Sequence, residues 1–153
     1  MLFQPQIPQN TGNIVRTCAV TGSDLILVPP FGFSLASRHL KRAGLDYWEG
    51  VNMEQVENLF DYLQNLAHPF YFFSTKGKKV YTDIDYTMSD HLVFGSETEG
   101  LPAAFHAKWE ERFYRLPMKK EARCLNLANT VSVVLYEALR QNNFELTLRK
   151  KDG

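Results

Sequence analysis

The stretch "HLVFGSETEGLPAAFHAKW", His91 to Trp109, carries three structural signals in a row. "HLVFG" is a short apolar run, the mark of a buried strand. Gly95 follows directly and frees the backbone for a sharp turn or for close approach to a ligand. Gly100 then precedes Leu101 and Pro102, and proline suits a first helical turn. "LPAAFHAKW" therefore reads as a short helix. The loop is not a Walker loop, because no Gly-Lys-Ser/Thr closes it, and it does not fit GxGxxG. Taken alone, it also reads as an ordinary strand-to-helix turn with acids at a helix N-terminus.

The same alternation continues on both sides. "DLILVPP" (24–30), "PFYFFST" (69–75) and "RFYRLPM" (112–118) are further apolar runs with strand character. "SLASRHLKRAG" (34–44) opens on a Ser cap and closes on Gly44, which predicts a short helix. "MEQVENLFDYLQNL" (53–66) places Val56, Leu59, Phe60, Leu63 and Leu66 at helical spacing. "RCLNLANTVSVVLYEALRQ" (123–141) predicts the last long helix. Alternating strand and helix give an α/β class, with a mostly parallel sheet flanked by helices. Ligands in such sheets bind beyond the carboxyl ends of the strands. No linker, repeat or low-complexity segment interrupts the chain, so a single domain over 1–153 is expected.

Charge and cysteine usage narrow the function. Seventeen Lys and Arg balance 17 Asp and Glu. A nucleic-acid partner would therefore need a local basic patch. Candidate clusters are Arg38, Lys41 and Arg42; Lys76, Lys78 and Lys79; Arg112, Arg115, Lys119, Lys120 and Arg123; and Arg149, Lys150 and Lys151. Each also reads as a solvated face. Cys18 and Cys124 make no disulfide framework, and no second Cys or His stands near either at metal-ligand spacing, so no metal is expected. The start lacks a signal-peptide pattern, and no apolar run approaches the roughly 20 residues that span a bilayer. A cytoplasmic, reducing setting and no membrane partner are the expectation.

Four segments are chemically peculiar. They are "PQIPQNTGNIVRTC" near the start, "FFSTKGK", "FGSETEGLP" and "RLPMKKEARCLNLAN". In the first, Asn10, Thr11 and Asn13 can cap or turn. Arg16 falls three residues after Asn13, on the same side of a helix, and its planar fork can grip a phosphate. A capped helix with an exposed Arg is the alternative. In the last, Leu116 and Met118 can form a dry wall beside polar groups, or simply belong to the core. Asn126 and Asn129 stand three apart where a helix begins, and Asn is a better cap than helix former.

Taken together, the motifs are more specific. The order Asn-Thr-Gly-Asn-x-x-Arg, then Phe-Gly-x-Glu-x-x-Gly-Leu-Pro, then Leu-Pro-Met…Leu-Asn-Leu-x-Asn-x-x-Ser-Val-x-x-Tyr-Glu resembles the three motifs of the SpoU branch of the SPOUT RNA methyltransferases. The resemblance runs from about Gln4 to Gln141. "AGLDYWE", "STKG" and the lack of an added RNA-binding domain resemble the subgroup that modifies the tRNA wobble nucleotide. The resemblance implies a deep C-terminal trefoil knot over about 73–142, although threaded chains are rare. It also implies a homodimer whose interface includes the last helix.

In function, the resemblance implies methyl transfer from S-adenosylmethionine, leaving S-adenosylhomocysteine, to the ribose 2′-hydroxyl of nucleotide 34 in the tRNA anticodon loop. That nucleotide would be cytidine or a modified uridine, in leucine tRNA. Action at another tRNA or rRNA position, or noncatalytic RNA binding by the same fold, are the alternatives. Arg16, Asn13, Glu97 and Asn126 would be the catalytic residues. Phe73, Ser74, Thr75, Gly95, Glu97, Gly100, Leu101, Leu116, Pro117, Met118, Cys124, Leu125, Asn126 and Asn129 would hold the cofactor. Arg38, Lys41, Arg42, Arg115, Lys119 and Tyr136 would contact RNA; Tyr136 also reads as a buried interface residue. Two features depart from the family: Cys124 stands where Ser is usual, and only Met1 and Leu2 precede Phe3.

Overall fold

The computed structural model describes residues 1–36 and 45–146. Seven strands form one sheet: β1 (Leu2–Phe3), β2 (Leu25–Val28), β3 (Met53–Gln55), β4 (Phe70–Phe73), β5 (Lys79–Val80), β6 (His91–Phe94) and β7 (Phe113–Arg115). Their order across the sheet is β3-β2-β1-β6-β4-β7-β5, and every pairing is parallel. Among the described residues, four α-helices pack on it: α1 (Pro8–Thr21), α2 (Leu59–Gln64), α3 (Ala103–Lys108) and α4 (Leu127–Gln141).

The strand residues show why both faces are covered. Successive side chains alternate between faces. Phe73 and Phe94 join Leu2, Leu25, Leu27, Ile14, Val15, Val131 and Val134 in the core beneath α1 and α4. Phe72 and Val93 join Leu59, Leu63, Phe105, Trp109 and Phe113 on the other face. Phe72 stacks on Phe113 with ring centroids 4.5 Å apart. Full burial of one such side chain is worth about 1.5–3 kcal/mol. The result is three layers, helix on sheet on helix, as the alternation of elements implies.

Three elements differ from the expectation. The helix expected over 53–66 is split: β3 pairs parallel with β2, and only Leu59–Gln64 is helical. Val56 extends the ladder by donating to the Leu27 carbonyl at 3.1 Å. Asn58 then caps α2 by accepting from the Asp61 N–H at 3.1 Å. Strands β1 and β5 have two residues each, too short for a periodic signal, yet β1 fills the gap between β2 and β6. The helix expected at 34–44 lies mostly outside the described residues, as do Arg38, Lys41 and Arg42.

One crossing shapes the far end. β4 and β5 are consecutive in the chain, but β7 lies between them. The connecting loop is drawn onto β7: Ser74 N–H donates to the Tyr114 carbonyl at 2.9 Å. A Cβ at Gly77 would sit 2.4 Å from the Tyr114 carbonyl carbon, so only glycine allows this approach. Among the described residues, no helix is long and apolar enough to cross a membrane, and no cluster of His, Cys, Asp or Glu could hold a metal ion.

Candidate functional site

Because the strands are parallel, the loops after β4, β6 and β7 leave the same edge of the sheet. They enclose a cavity of about 610 Å³, within the range of small-molecule and cofactor sites. Phe73, Ser74 and Thr75 line it from the first loop, Gly95, Glu97, Gly100 and Leu101 from the second, and Leu116, Met118, Cys124, Leu125 and Asn126 from the third. Among the described residues, Pro117, Asn129, Asn13 and Arg16 do not line it. Asn13 and Arg16 are exposed on α1, one turn apart. Arg115, Lys119 and Tyr136 are exposed as well.

The second loop closes on itself. Ser96 and Gly100 exchange backbone hydrogen bonds, both at 3.1 Å. A Cβ at Gly95 would meet the Gly100 carbonyl carbon at 2.4 Å, which ties this wall of the cavity to glycine. The tight loop turns Glu97 toward the start of α1. That helix has Ile7 at its N-cap, with no side-chain cap of its own. Glu97 serves as the cap instead. Its Oε2 accepts from the Gln6 N–H at 2.7 Å and its Oε1 from the Ile7 N–H at 3.1 Å. A carboxylate at a helix N-terminus satisfies orphan donors and suits the helix dipole.

The same carboxylate begins a relay. Glu97 Oε1 also accepts from Asn10 Nδ2 at 3.2 Å. Asn10 Oδ1 accepts from Asn126 Nδ2 at 2.9 Å. Asn126 Oδ1 caps α4 by accepting from the Ala128 and Asn129 N–H groups at 2.9 and 3.3 Å. Each amide orientation follows from its neighbours, since a carboxylate only accepts and a helix start only donates. Three segments far apart in the chain are thus joined by side chains under one cavity. Glu97 reaches the third-motif amides through Asn10, a 6% exposed residue that sequence reasoning treated only as a cap or turn former. Asn129 joins through its backbone, not as a second wall of the cavity.

His106, which the sequence did not single out, and Lys76, named there only in a basic cluster, also line the cavity. His106 stacks on Phe113 with ring centroids 3.8 Å apart. Burial, and then the charge of Lys76, hold its imidazole below the usual pKa, so it is neutral at neutral pH. Helix α4 is fastened to α1 by a hydroxyl pair, Thr17 Oγ1 and Ser132 Oγ at 3.3 Å. Cys124 is exposed at the cavity, whereas Cys18 lies in the core, where burial pushes its thiol up to about 11.

Comparison with known proteins supplies independent findings. The model of the SpoU rRNA Methylase family matches residues 1–136. The tRNA (cytidine(34)-2′-O)-methyltransferase of Methylovorus glucosotrophus (strain SIP3-4) is 47% identical over 146 residues, covering 94% of this chain and 95% of that protein. A solved structure concerned with the 2-OH methylation of C/U34 on tRNA superimposes with a TM-score of 0.86 at 40% identity, covering 93% of both chains. The SpoU methyltransferase AviRb of Streptomyces viridochromogenes, solved with the cofactor AdoMet, shares the fold with a TM-score of 0.80 at 24% identity, covering 93% of this chain and 56% of that one.

Proposed function

This chain belongs to the SpoU rRNA Methylase family, and we propose that it transfers a methyl group from S-adenosylmethionine to the ribose 2′-hydroxyl of nucleotide 34 in the tRNA anticodon loop. The observation that carries this reading is the meeting of three sequence-distant motifs at one cavity, in a chain 47% identical over nearly its whole length to a protein named for that reaction. The cavity fits the cofactor. It has the volume, apolar walls at Phe73, Leu101 and Leu116, and a glycine-built backbone edge at Gly95 and Gly100.

When bound, the cofactor would supply an electrophilic sulfonium methyl to the ribose 2′-oxygen, with the hydroxyl proton released to solvent. The chain's residues exclude water, align the hydroxyl and stabilise charge as it develops. Arg16 is the cation that meets the developing charge. A guanidinium carries only donors in a fixed planar fork, so Arg16 orients the hydroxyl and the adjacent phosphate and does not serve as base. Glu97 has both oxygens committed to backbone and amide donors, which suits it to positioning. Asn126 links the cavity wall to the start of α4. Arg115 and Lys119, at the end of β7 and in the loop beyond, are suited to phosphate contact. Asn13 stands one turn before Arg16 on α1, Pro117 lies between Leu116 and Met118 of the cavity wall, and Asn129 donates its N–H to Asn126 Oδ1.

Path, assembly and substrate follow from narrower support. The insertion of β7 between β4 and β5 supports a knotted path over about 73–142 within one domain. Val20, Val133 and Tyr136, exposed at 53%, 40% and 49% on α1 and α4, support a homodimer through those helices, which light scattering tests directly. Action on tRNA implies the cytoplasm, with cytidine or modified uridine of leucine tRNA as the substrate. The decisive experiment incubates purified protein with methyl-labelled cofactor and total tRNA, then maps the product by mass spectrometry. Label on ribose 34 is the expected result. Label elsewhere in RNA would displace the wobble assignment, and unlabelled RNA would leave only RNA binding.

A further inference from the structure

The loop after β2 leaves the same sheet edge as the loops around the cavity, because all the strands are parallel. It carries two phenylalanines, Phe31 and Phe33, on either side of Gly32. The loop is pinned beside the site: Gly32 N–H donates to the Pro5 carbonyl at 3.0 Å. The next residues of that strap, Gln6 and Ile7, are the ones held by Glu97.

The two rings have different surroundings. Phe31 packs against the core beneath α1 and α4. Phe33 is partly exposed and, among the described residues, belongs to neither core cluster. Its ring lies nearly parallel to that of Phe31, with centroids 5.8 Å apart and planes 17° from parallel. Phe31 is thus the anchor and Phe33 the outboard ring. A phenyl ring makes no hydrogen bond to a base edge; it offers a flat apolar face. Unpaired bases in RNA loops are held in this way, by stacking on aromatic side chains that accept any base with a π face.

We propose that Phe33, backed by Phe31, is a stacking platform for an unpaired pyrimidine base of the anticodon loop while the ribose is presented to the neighbouring cavity. This rests on the wobble-nucleotide reading above. A platform that reads the face of a base treats cytidine and uridine alike, so discrimination between them is made elsewhere. A ring that merely fills space could be replaced by leucine, whereas a stacking ring requires an aromatic successor.

The test uses the full chain, an anticodon stem-loop with fluorescent pyrrolo-cytidine at nucleotide 34, and the variants Phe33→Leu and Phe33→Trp. With wild type and Phe33→Trp, binding quenches the fluorophore. Phe33→Leu loses the quench and raises KM for tRNA roughly tenfold, with cofactor affinity and oligomeric state unchanged. If Phe33→Leu keeps both quench and KM, the platform is refuted while the wobble reading stands. If wild type binds cofactor but leaves nucleotide 34 unmethylated, the wobble reading fails, and the platform with it.

Discussion

Replacing Glu97 by Gln changes one charge and one donor, and the relay shows how far that change travels. The carboxylate accepts from Gln6 N–H, Ile7 N–H and Asn10 Nδ2. A glutamine amide has only one accepting atom, and its NH2 group must face one of these donors. If that group takes the place of Oε1, Asn10 can meet it by rotating its amide, but the Ile7 N–H stays unmet and Asn10 Nδ2 then faces Asn126 Nδ2. If Asn126 rotates in turn, its Oδ1 no longer caps Ala128 and Asn129. Frustration cannot leave the chain without uncapping a helix. One unmet donor costs about 1–3 kcal/mol, and loss of negative charge at the start of α1 adds about 0.3–1 kcal/mol. The expected loss is therefore about 1.3–4 kcal/mol. For a domain of this size that lowers Tm by roughly 3–16 °C. Urea unfolding of Glu97→Gln, with calorimetry of S-adenosylmethionine binding, measures both ends of the relay. Cofactor affinity should fall along with stability, and the double variant Glu97→Gln/Asn10→Ala should lose less than the sum of the single changes. A stability loss under about 0.5 kcal/mol with unchanged cofactor affinity would refute the reasoning, because it would mean that the relay carries no strain.

Other perturbations separate fold from chemistry. Gly77→Ala forces a Cβ into the Tyr114 backbone and should cost upwards of about 3 kcal/mol, read as soluble yield and Tm. Arg16→Ala should abolish methyl transfer while calorimetry finds cofactor binding intact; lost cofactor affinity would end the role assigned to Arg16. His106 has its pKa lowered from 6.5 by burial and then by Lys76, so its share of stability is complete above pH 6.5 and is lost as pH falls toward the folded pKa. His106→Gln should accordingly flatten the stability profile between about pH 7 and 5, and an unchanged slope would contradict the shift.

Legibility from sequence followed length and periodicity. Leu25–Val28, Phe70–Phe73 and His91–Phe94 are the longest strands, and these and Phe113–Arg115 were readable because each holds consecutive apolar residues buried on both faces. The segment 53–66 misled because Val56, Leu59 and Leu63 are all buried, with Val56 held by the sheet ladder and the other two by a helix. A run of apolar spacings does not reveal the break, although Asn58, a good cap, stood where it falls. Asn126 was legible as a cap for the same reason. Asn10 was not legible as a hub, because an asparagine that caps and one that bridges two segments have the same local sequence.

By itself, then, the sequence determined the α/β class, the edge of the sheet where the candidate site lies, and the three motifs that meet there. These depend on local periodicity, turn residues and residue type. Only the tertiary structure decided that β7 enters between β4 and β5, and that Glu97, Asn10 and Asn126 form one continuous relay from α1 to α4. The physical reason is range. Glu97 and Ile7 are 90 residues apart in the chain, and Asn126 and Asn10 are 116 apart. Hydrogen bonds of about 3 Å across such separations exist only after the sheet has closed and set the loops beside one another.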